Sequence, residues 1–348
     1  MKLNRLFKKF TITAMTVVMG LSGIVGCSSS NAGADVWLTE PVEVTDYKLN
    51  TYVALDAYST GGYGTKELNK VLSEALGLCD KYEKMFSRTL VDSDLYRLNS
   101  GETNVVPEDV GILIEKGLEY AKASDGAFDI TIGAVSSLWD FTADYPVVPA
   151  DEDISNGLKY VDYTKVSISK NADSTYTVNM PEGTIIDLGA IAKGYIADKI
   201  KDFLLEHNIR HAIINLGGNV LCVGAKRDDT AFNIGVKKPF TDNEYVEKLK
   251  IKDMSVVSSG NYERFFYNNG KLYHHILNPK TGYPYDNGIS EVTIISKESF
   301  AGDCLSTTCF ALGVDKGLSL IESLDGIEAV FVDSNGDVTY SSGFTNYR

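Results

Sequence analysis

Asp187-Leu188-Gly189-Ala190-Ile191-Ala192-Lys193-Gly194 is the stretch on which the fold turns. The β-branched run Thr184-Ile185-Ile186 precedes it, and Ile191, Tyr195, Ile196, Ile200, Phe203 and Leu204 follow at helical spacing. This reads as a strand, a turn and an amphipathic helix over residues 187–207. Gly189 lets the backbone approach a ligand closely. The free N–H groups of a first helical turn, and the positive end of the dipole, suit a phosphate. Lys193 adds a positive charge one turn in. Asp187 either caps the helix or accepts hydrogen bonds from a ligand. On its own the stretch also reads as an ordinary capped turn, because its glycines match no nucleotide-binding fingerprint.

Outward from this point the pattern mixes helices and hairpins. In residues 65–86, Leu68, Leu72, Ala75, Leu76 and Cys79 share one helical face. Pro107 opens a second helix through Val110, Ile114, Leu118 and Ala121, stopped by Ser124-Asp125-Gly126. Hairpins are expected over residues 42–59 and 166–179. A strand pair over 211–223 is broken by Asn215-Leu216-Gly217-Gly218-Asn219, where backbone nears something. Further strands are expected over 232–236, 249–258, 264–267, 273–277, 328–332 and 338–340, with helices over 301–312 and 316–324. Residues 142–157 read as a surface excursion. With no repeat and no second composition regime, the expectation is one α+β domain over residues 41–348.

The N-terminus stands apart. Lys2, Arg5, Lys8 and Lys9 precede an apolar run that ends Ile24-Val25-Gly26-Cys27. Residues 1–26 read as a secretory signal and 27–40 as a flexible tether. The small residue before Cys27 resembles a bacterial lipoprotein signal, which implies lipidation of Cys27 and anchoring on the extracytoplasmic face of the cell membrane. A single membrane anchor is the alternative. Without residues 1–26 the chain keeps 29 basic against 47 acidic residues, a net −18. Such acidity argues against nucleic acid, and requires a local device to hold any anion. Cys79, Cys222, Cys304 and Cys309 lack metal-site spacing and read as free buried thiols.

Of four histidines, His274 and His275 precede Ile276-Leu277-Asn278-Pro279-Lys280-Thr281-Gly282. Neighbours on a strand face opposite ways, so only one can serve a given site, as acid–base group or as a structural histidine. Asp303 and Thr307 lie at i, i+4 on one helix face. Carboxylate and hydroxyl together suit Mg²⁺; a helix-start aspartate and a back-bonded threonine are the plainer reading. Asp129 and Thr131 alternate with apolar neighbours after Gly126.

Taken together, Gly126-Ala127-Phe128-Asp129-Ile130-Thr131, the Asp187–Gly194 stretch, Asn215–Asn219, His275–Gly282 and 303–307 resemble the ApbE-type flavin transferases (FAD:protein FMN transferases). The resemblance spans residues 42–340. It implies a T-fold-like domain that binds FAD and Mg²⁺ and transfers FMN to a threonine of an exported flavoprotein, releasing AMP. The implied acceptor carries a Ser/Thr-Gly/Ala-Ala-Thr type segment. By the resemblance, Leu55, Ala127, Phe128, Asp129, Asp187, Lys193 and Ile276 contact FAD. Ala190 (through its carbonyl), Asp303 and Thr307 hold Mg²⁺, and His275 is catalytic beside Asp303. Arg88 and Thr89 stand where many relatives carry an aromatic, Asp56 where many carry Gly, and Asn278 where Asp is common. The alternatives are an FAD pyrophosphatase giving FMN and AMP, and an FAD-binding lipoprotein without chemistry.

Overall fold

The structure, a computed structural model, describes residues 34–348. The expected signal segment, Cys27 and the first part of the tether lie outside the described residues. In chain order the elements are β1 (Trp37–Lys48), β2 (Thr51–Ser59), α1 (Thr65–Phe86), α2 (Asp94–Asn99), β3 (Val105–Val106), α3 (Glu108–Ala123), α4 (Gly133–Ser136) and α5 (Asp151–Leu158). Next come β4 (Ser167–Lys170), β5 (Tyr176–Asn179), α6 (Ala192–Glu206), β6 (Ala212–Leu216), β7 (Asn219–Val223), β8 (Phe232–Lys237) and β9 (Tyr245–Ile251). The chain closes with β10 (Ser255–Gly260), β11 (Phe265–Asn268), β12 (Lys271–His274), β13 (Ile289–Ser296), α7 (Ser299–Glu322), β14 (Glu328–Asp333) and β15 (Val338–Tyr340).

Eight strands form one sheet in the order β1-β2-β6-β7-β10-β13-β14-β15, every pair antiparallel. One face meets helices. Leu55 and Ile214 from the sheet pack with Leu68 and Leu72 of α1 and Ile196 and Ile200 of α6. Val292, Ile294 and Phe331 pack with Leu305, Cys309 and Phe310 of α7. The other face carries Cys222, Val256, Ile295 and Val330, covered by Phe232 and Ile234 of β8 and Leu249 and Ile251 of β9. The result is the expected α+β fold in three layers.

Several local expectations give way. β1 already begins at Trp37, inside the stretch expected as tether. The helix after Asp187 starts at Ala192, and Ile185 makes only an isolated bridge to Ile132 rather than a strand. The strand expected over 249–258 is two strands, β9 and β10, separated by a turn with Asp253 at φ 47°. Residues 151–158 are helix α5, not excursion. The last strand before the histidines stops at His274. The helices expected over 301–312 and 316–324 are the two halves of α7, broken at Gly313 (φ 78°, ψ 175°). β13 was not anticipated at all. It is buried along its whole length because both faces are covered, and Ser290, Glu291, Thr293 and Ser296 are buried with its apolar residues, so its composition reads like that of a loop. Cys79, Cys222, Cys304 and Cys309 are free, buried thiols.

α6 and α7 are tied at the start of α7. Glu298, its N-cap, offers no side-chain bond, and Asp198 of α6 accepts instead from Ser299 N (2.9 Å) and Phe300 N (2.8 Å). This through-space cap satisfies two of the orphan donors of that helix.

Glu291, on β13, has no exposed surface. Its Oε1 accepts from Thr293 Oγ1 (2.9 Å), and Oε2 has no partner among the described residues. Burial pushes the carboxyl from 4.5 up to about 7. Folding therefore favours the protonated form: its contribution is full below pH 4.5 and is lost as pH rises through about 7. That interval is worth about 3 kcal/mol. Glu291→Gln is expected to flatten the fall in melting temperature between pH 5 and pH 8. A variant whose melting temperature falls as steeply as that of the unchanged chain would refute the assignment.

Candidate active site

The site forms where α6 begins against the first turns of α7. A Cβ at Gly194 would stand 2.4 Å from Ser299 O and 2.7 Å from Asp303 Cβ, so only glycine permits this approach. At that contact Gly194 N donates to Asp303 Oδ2 (2.7 Å). In a regular helix the same N–H would bond the Ala190 carbonyl, four residues back. The preceding turn instead folds onto Leu188 O, which accepts from Ile191 N (3.0 Å) and Ala192 N (2.9 Å). The Ala190 oxygen is left without a hydrogen-bond partner among the described residues.

Asp303 is buried, and burial raises its carboxyl above the ordinary range, against the pull of Lys193, the Gly194 N–H and the Asn219 amide. Asn219 follows the Gly217-Gly218 turn, where both glycines take positive φ (65° and 91°). That turn lies against the β1–β2 hairpin, since a Cβ at Gly217 would meet Thr51 Oγ1 at 2.2 Å. Ser299 Oγ donates to Asn219 Oδ1 (2.6 Å), which turns the Nδ2 group, buried and unpartnered, toward the Asp303 side. One turn after Asp303, Thr307 Oγ1 lies 3.1 Å from Ser259 Oγ at the end of β10.

His275 follows β12, its N–H held by Arg264 O (3.1 Å). Nδ1 is buried, with no partner among the described residues. Burial, then the charges of Arg264, His274 and Lys193, push the imidazole down to about 3. His274 points away and is structural, with Nε2 on Tyr285 O (2.8 Å). One histidine of the adjacent pair therefore faces the site, as strand alternation requires. Glu263 joins the rim: desolvation raises its carboxyl, against the attraction of Lys193 and Arg264.

Asp187 is engaged by protein. Its Oδ2 accepts from Arg88 Nε (2.9 Å) and Ser136 Oγ (2.8 Å), and Oδ1 accepts from Gly189 N (2.9 Å). Arg88 also donates to Ser137 Oγ (2.8 Å). The other expected FAD contacts divide. Leu55 has no exposed surface and is core between the sheet and α1. Phe128 and Ile276 are likewise core side chains. Asp129 points inward, with Oδ1 accepting from Thr131 N (2.8 Å) and Thr131 Oγ1 (2.7 Å) and Oδ2 from Tyr163 N (3.1 Å). Ala127 is half-buried, and its carbonyl takes the Tyr285 hydroxyl (2.6 Å). A surface cavity of about 590 Å³, lined by residues 98–104 and 178–184, includes none of the site residues.

Ala190, Lys193, Asp303, Thr307 and His275 are thus brought together. The sequence profile of the ApbE family matches residues 45–331. The chain belongs to the ApbE family. A protein named FAD:protein FMN transferase from Klebsiella pneumoniae is 36% identical over 300 residues, covering 82% of this chain and 92% of the relative. One of the same name from Treponema pallidum is 33% identical over 295 residues, covering 80% of this chain and 82% of the relative. Among solved structures, the ApbE protein of Thermotoga maritima superposes with a TM-score of 0.78 at 31% identity, covering 88% of this chain and 99% of that one. The flavin transferase ApbE of Vibrio cholerae superposes at 0.77 and 25% identity, covering 89% and 99%. A variant of the latter with one histidine replaced by glycine has also been solved.

Within this ApbE-family site, three features behind Ala190, Asp303 and Thr307 have little signal in the sequence: Ser259, the amide of Asn219, and the Arg88–Asp187 pair. Asn219 closes a motif whose glycines are its visible part, and Arg88 is visible only as a departure from the family pattern. Ser259 carried no signal beyond polarity at a strand end. The site's acid–base prediction concerns His275. Its Cε1 proton resonance is expected to stay flat between pH 5 and pH 8, because the ring remains neutral throughout. An inflection near 6.5 would show an imidazole in an ordinary environment.

Proposed function

We infer that the chain is an enzyme that transfers FMN from FAD to a protein, and we propose that it does so with Mg²⁺ onto a threonine hydroxyl, releasing AMP. The observation that carries the finer reading is the Ala190 carbonyl left free by the Gly194–Asp303 bond, one helix crossing from the Asp303 carboxylate and the Thr307 hydroxyl. Carbonyl, carboxylate and hydroxyl are hard oxygen donors, the set that Mg²⁺ selects. Among the described residues no three His, Cys, Asp or Glu side chains cluster, so phosphate oxygens and water would complete such a shell. Bound there, the ion would neutralise charge on the pyrophosphate.

The chain's own residues then divide the work. Lys193 and the N–H groups opening α6 offer positive potential to the pyrophosphate in a strongly acidic protein. The acceptor hydroxyl attacks the phosphorus of the FMN half, the bond to the AMP oxygen breaks, and AMP leaves with that electron pair. The hydroxyl proton passes to neutral His275. An imidazole held neutral by burial, and by nearby cations besides, becomes a better base once an anionic substrate offsets those charges. Hydrolysis of FAD would use the same residues with water as acceptor, and no feature of this site favours it.

The expected result with FAD, Mg²⁺ and an acceptor flavoprotein domain is AMP by chromatography and covalent flavin by in-gel fluorescence, both lost in Asp303→Ala. Bound FAD without AMP would sink the reading, and AMP with free FMN alone would replace transfer by hydrolysis.

We further propose that Cys27 is lipidated and anchors the enzyme on the extracytoplasmic face, where exported flavoproteins are its acceptors. The basic start, apolar run and Gly26-Cys27 junction support this. Labelled fatty acid is expected in the unchanged chain and not in Cys27→Ala, which should leave the membrane fraction. Equal labelling of both would refute it.

A further inference from the structure

We propose that Ser259 is a positioning residue that holds the Thr307 hydroxyl with its lone pairs toward the cation. This rests on the reading of Ala190, Asp303 and Thr307 as cation ligands. The argument follows the protons, since each hydroxyl has one to give. Ser306 Oγ lies 3.0 Å from the Asp303 carbonyl, which cannot donate, so Ser306 gives its proton there. Ser259 Oγ lies 2.8 Å from Ser306 Oγ and must be the donor in that pair. Its own proton committed, Ser259 can only accept from Thr307 Oγ1 at 3.1 Å. The proton of Thr307 is thereby drawn toward β10, and its lone pairs are left for a ligand.

The neighbouring threonine shows the alternative. A helical threonine commonly bonds back to its i−4 carbonyl. Thr308 does so, donating to Cys304 O at 2.7 Å. For Thr307 the corresponding acceptor is Asp303 O, which Ser306 already occupies. The three hydroxyls thus form a one-way relay, Thr307 to Ser259 to Ser306 to Asp303 O. It starts at one ligand residue and ends on the backbone of another. The register of β10 fixes the relay: Ser259 pairs with Val292 of β13 and Val257 with Asn219 of β7. Residues behind a metal ligand that set its orientation typically matter 10–100-fold in affinity.

The test compares the full chain with Ser259→Ala, Ser259→Thr, Thr307→Ala and Asp303→Ala. Mn²⁺ serves as a paramagnetic probe, and binding is read by electron paramagnetic resonance without FAD. The Mg²⁺ concentration for half-maximal AMP release is measured alongside. Ser259→Ala is expected to weaken Mn²⁺ binding about tenfold or more and to raise the Mg²⁺ requirement. KM for FAD at saturating Mg²⁺ and the melting temperature should stay close to those of the unchanged chain. Ser259→Thr, which keeps a hydroxyl, should restore binding. Normal binding in Ser259→Ala with loss in Thr307→Ala would overturn the relay. Equal loss in Ser259→Ala and Ser259→Thr would assign the effect to packing and overturn it as well. Normal binding in Thr307→Ala and Asp303→Ala would remove the ligand reading itself, and the relay's role with it.

Discussion

The hydrogen bond from Gly194 N to Asp303 Oδ2 (2.7 Å) is the constraint from which the site follows. It needs α6 and α7 to cross so closely that no side chain fits at Gly194. It also takes away the donor that would have satisfied Ala190, and so leaves a carbonyl free where a ligand can use it. A hydrogen bond to a charged group contributes about 1.5–3 kcal/mol, while burying a carboxylate costs several kcal/mol. The Asp303 carboxyl is accordingly raised by burial even with Lys193, Gly194 N–H and Asn219 beside it. Its ionised form is incompletely compensated in the free protein. The through-space cap from Asp198 onto Ser299 and Phe300 holds the same two helices together about one helical turn away.

The charge of the chain gives this arrangement its second meaning. With net −14 at neutral pH, the protein does not attract a pyrophosphate by its overall field. At physiological salt, charges beyond about 8 Å are largely screened, so what matters is the local set. Lys193 stands at the opening of α6, and Arg264 stands beside His275 closely enough to depress it. Arg88 reaches 99 residues along the sequence to hold Asp187, whose other oxygen fixes the Gly189 N–H. The turn that frees Ala190 is therefore secured at its start by an ion pair and at its end by the Asp303 contact.

Much of the fold was legible, and the pattern of failures is physical. α1 was read with its observed bounds because an amphipathic surface helix displays its period directly. β13 escapes a sequence reading because its buried Ser290, Glu291 and Thr293 give a strand covered on both faces the composition of a loop. The helix expected from Asp187 begins at Ala192 because Asp187 bonds Arg88 and Ser136, partners no local pattern can supply. At the site, Asp303 and Thr307 were legible from i, i+4 spacing, which fixes a shared helix face. Leu55 and Ile276 were placed by resemblance, and strand and loop packing turned both inward. Asp129 is likewise placed by the resemblance, and both its oxygens shape its own loop.

The same alternation that hides one residue exposes another. On β10, Ser258 and Ser259 are chemically identical neighbours with unrelated work. Ser258 Oγ meets Thr293 Oγ1 (2.7 Å) on the face covered by β8 and β9, next to buried Glu291. Ser259 Oγ meets Ser306 and Thr307 on the helix face. A slip of one residue would either bring Gly260 opposite Thr307, taking the acceptor away, or bring Val257 beside Glu291, placing an apolar side chain there. Pairing on both sides, to β7 and to β13, holds the register. The central strands therefore do more than supply core: their register decides which serine stands behind the site, and the buried polar cluster on the opposite face gives that register a second reason to stay fixed.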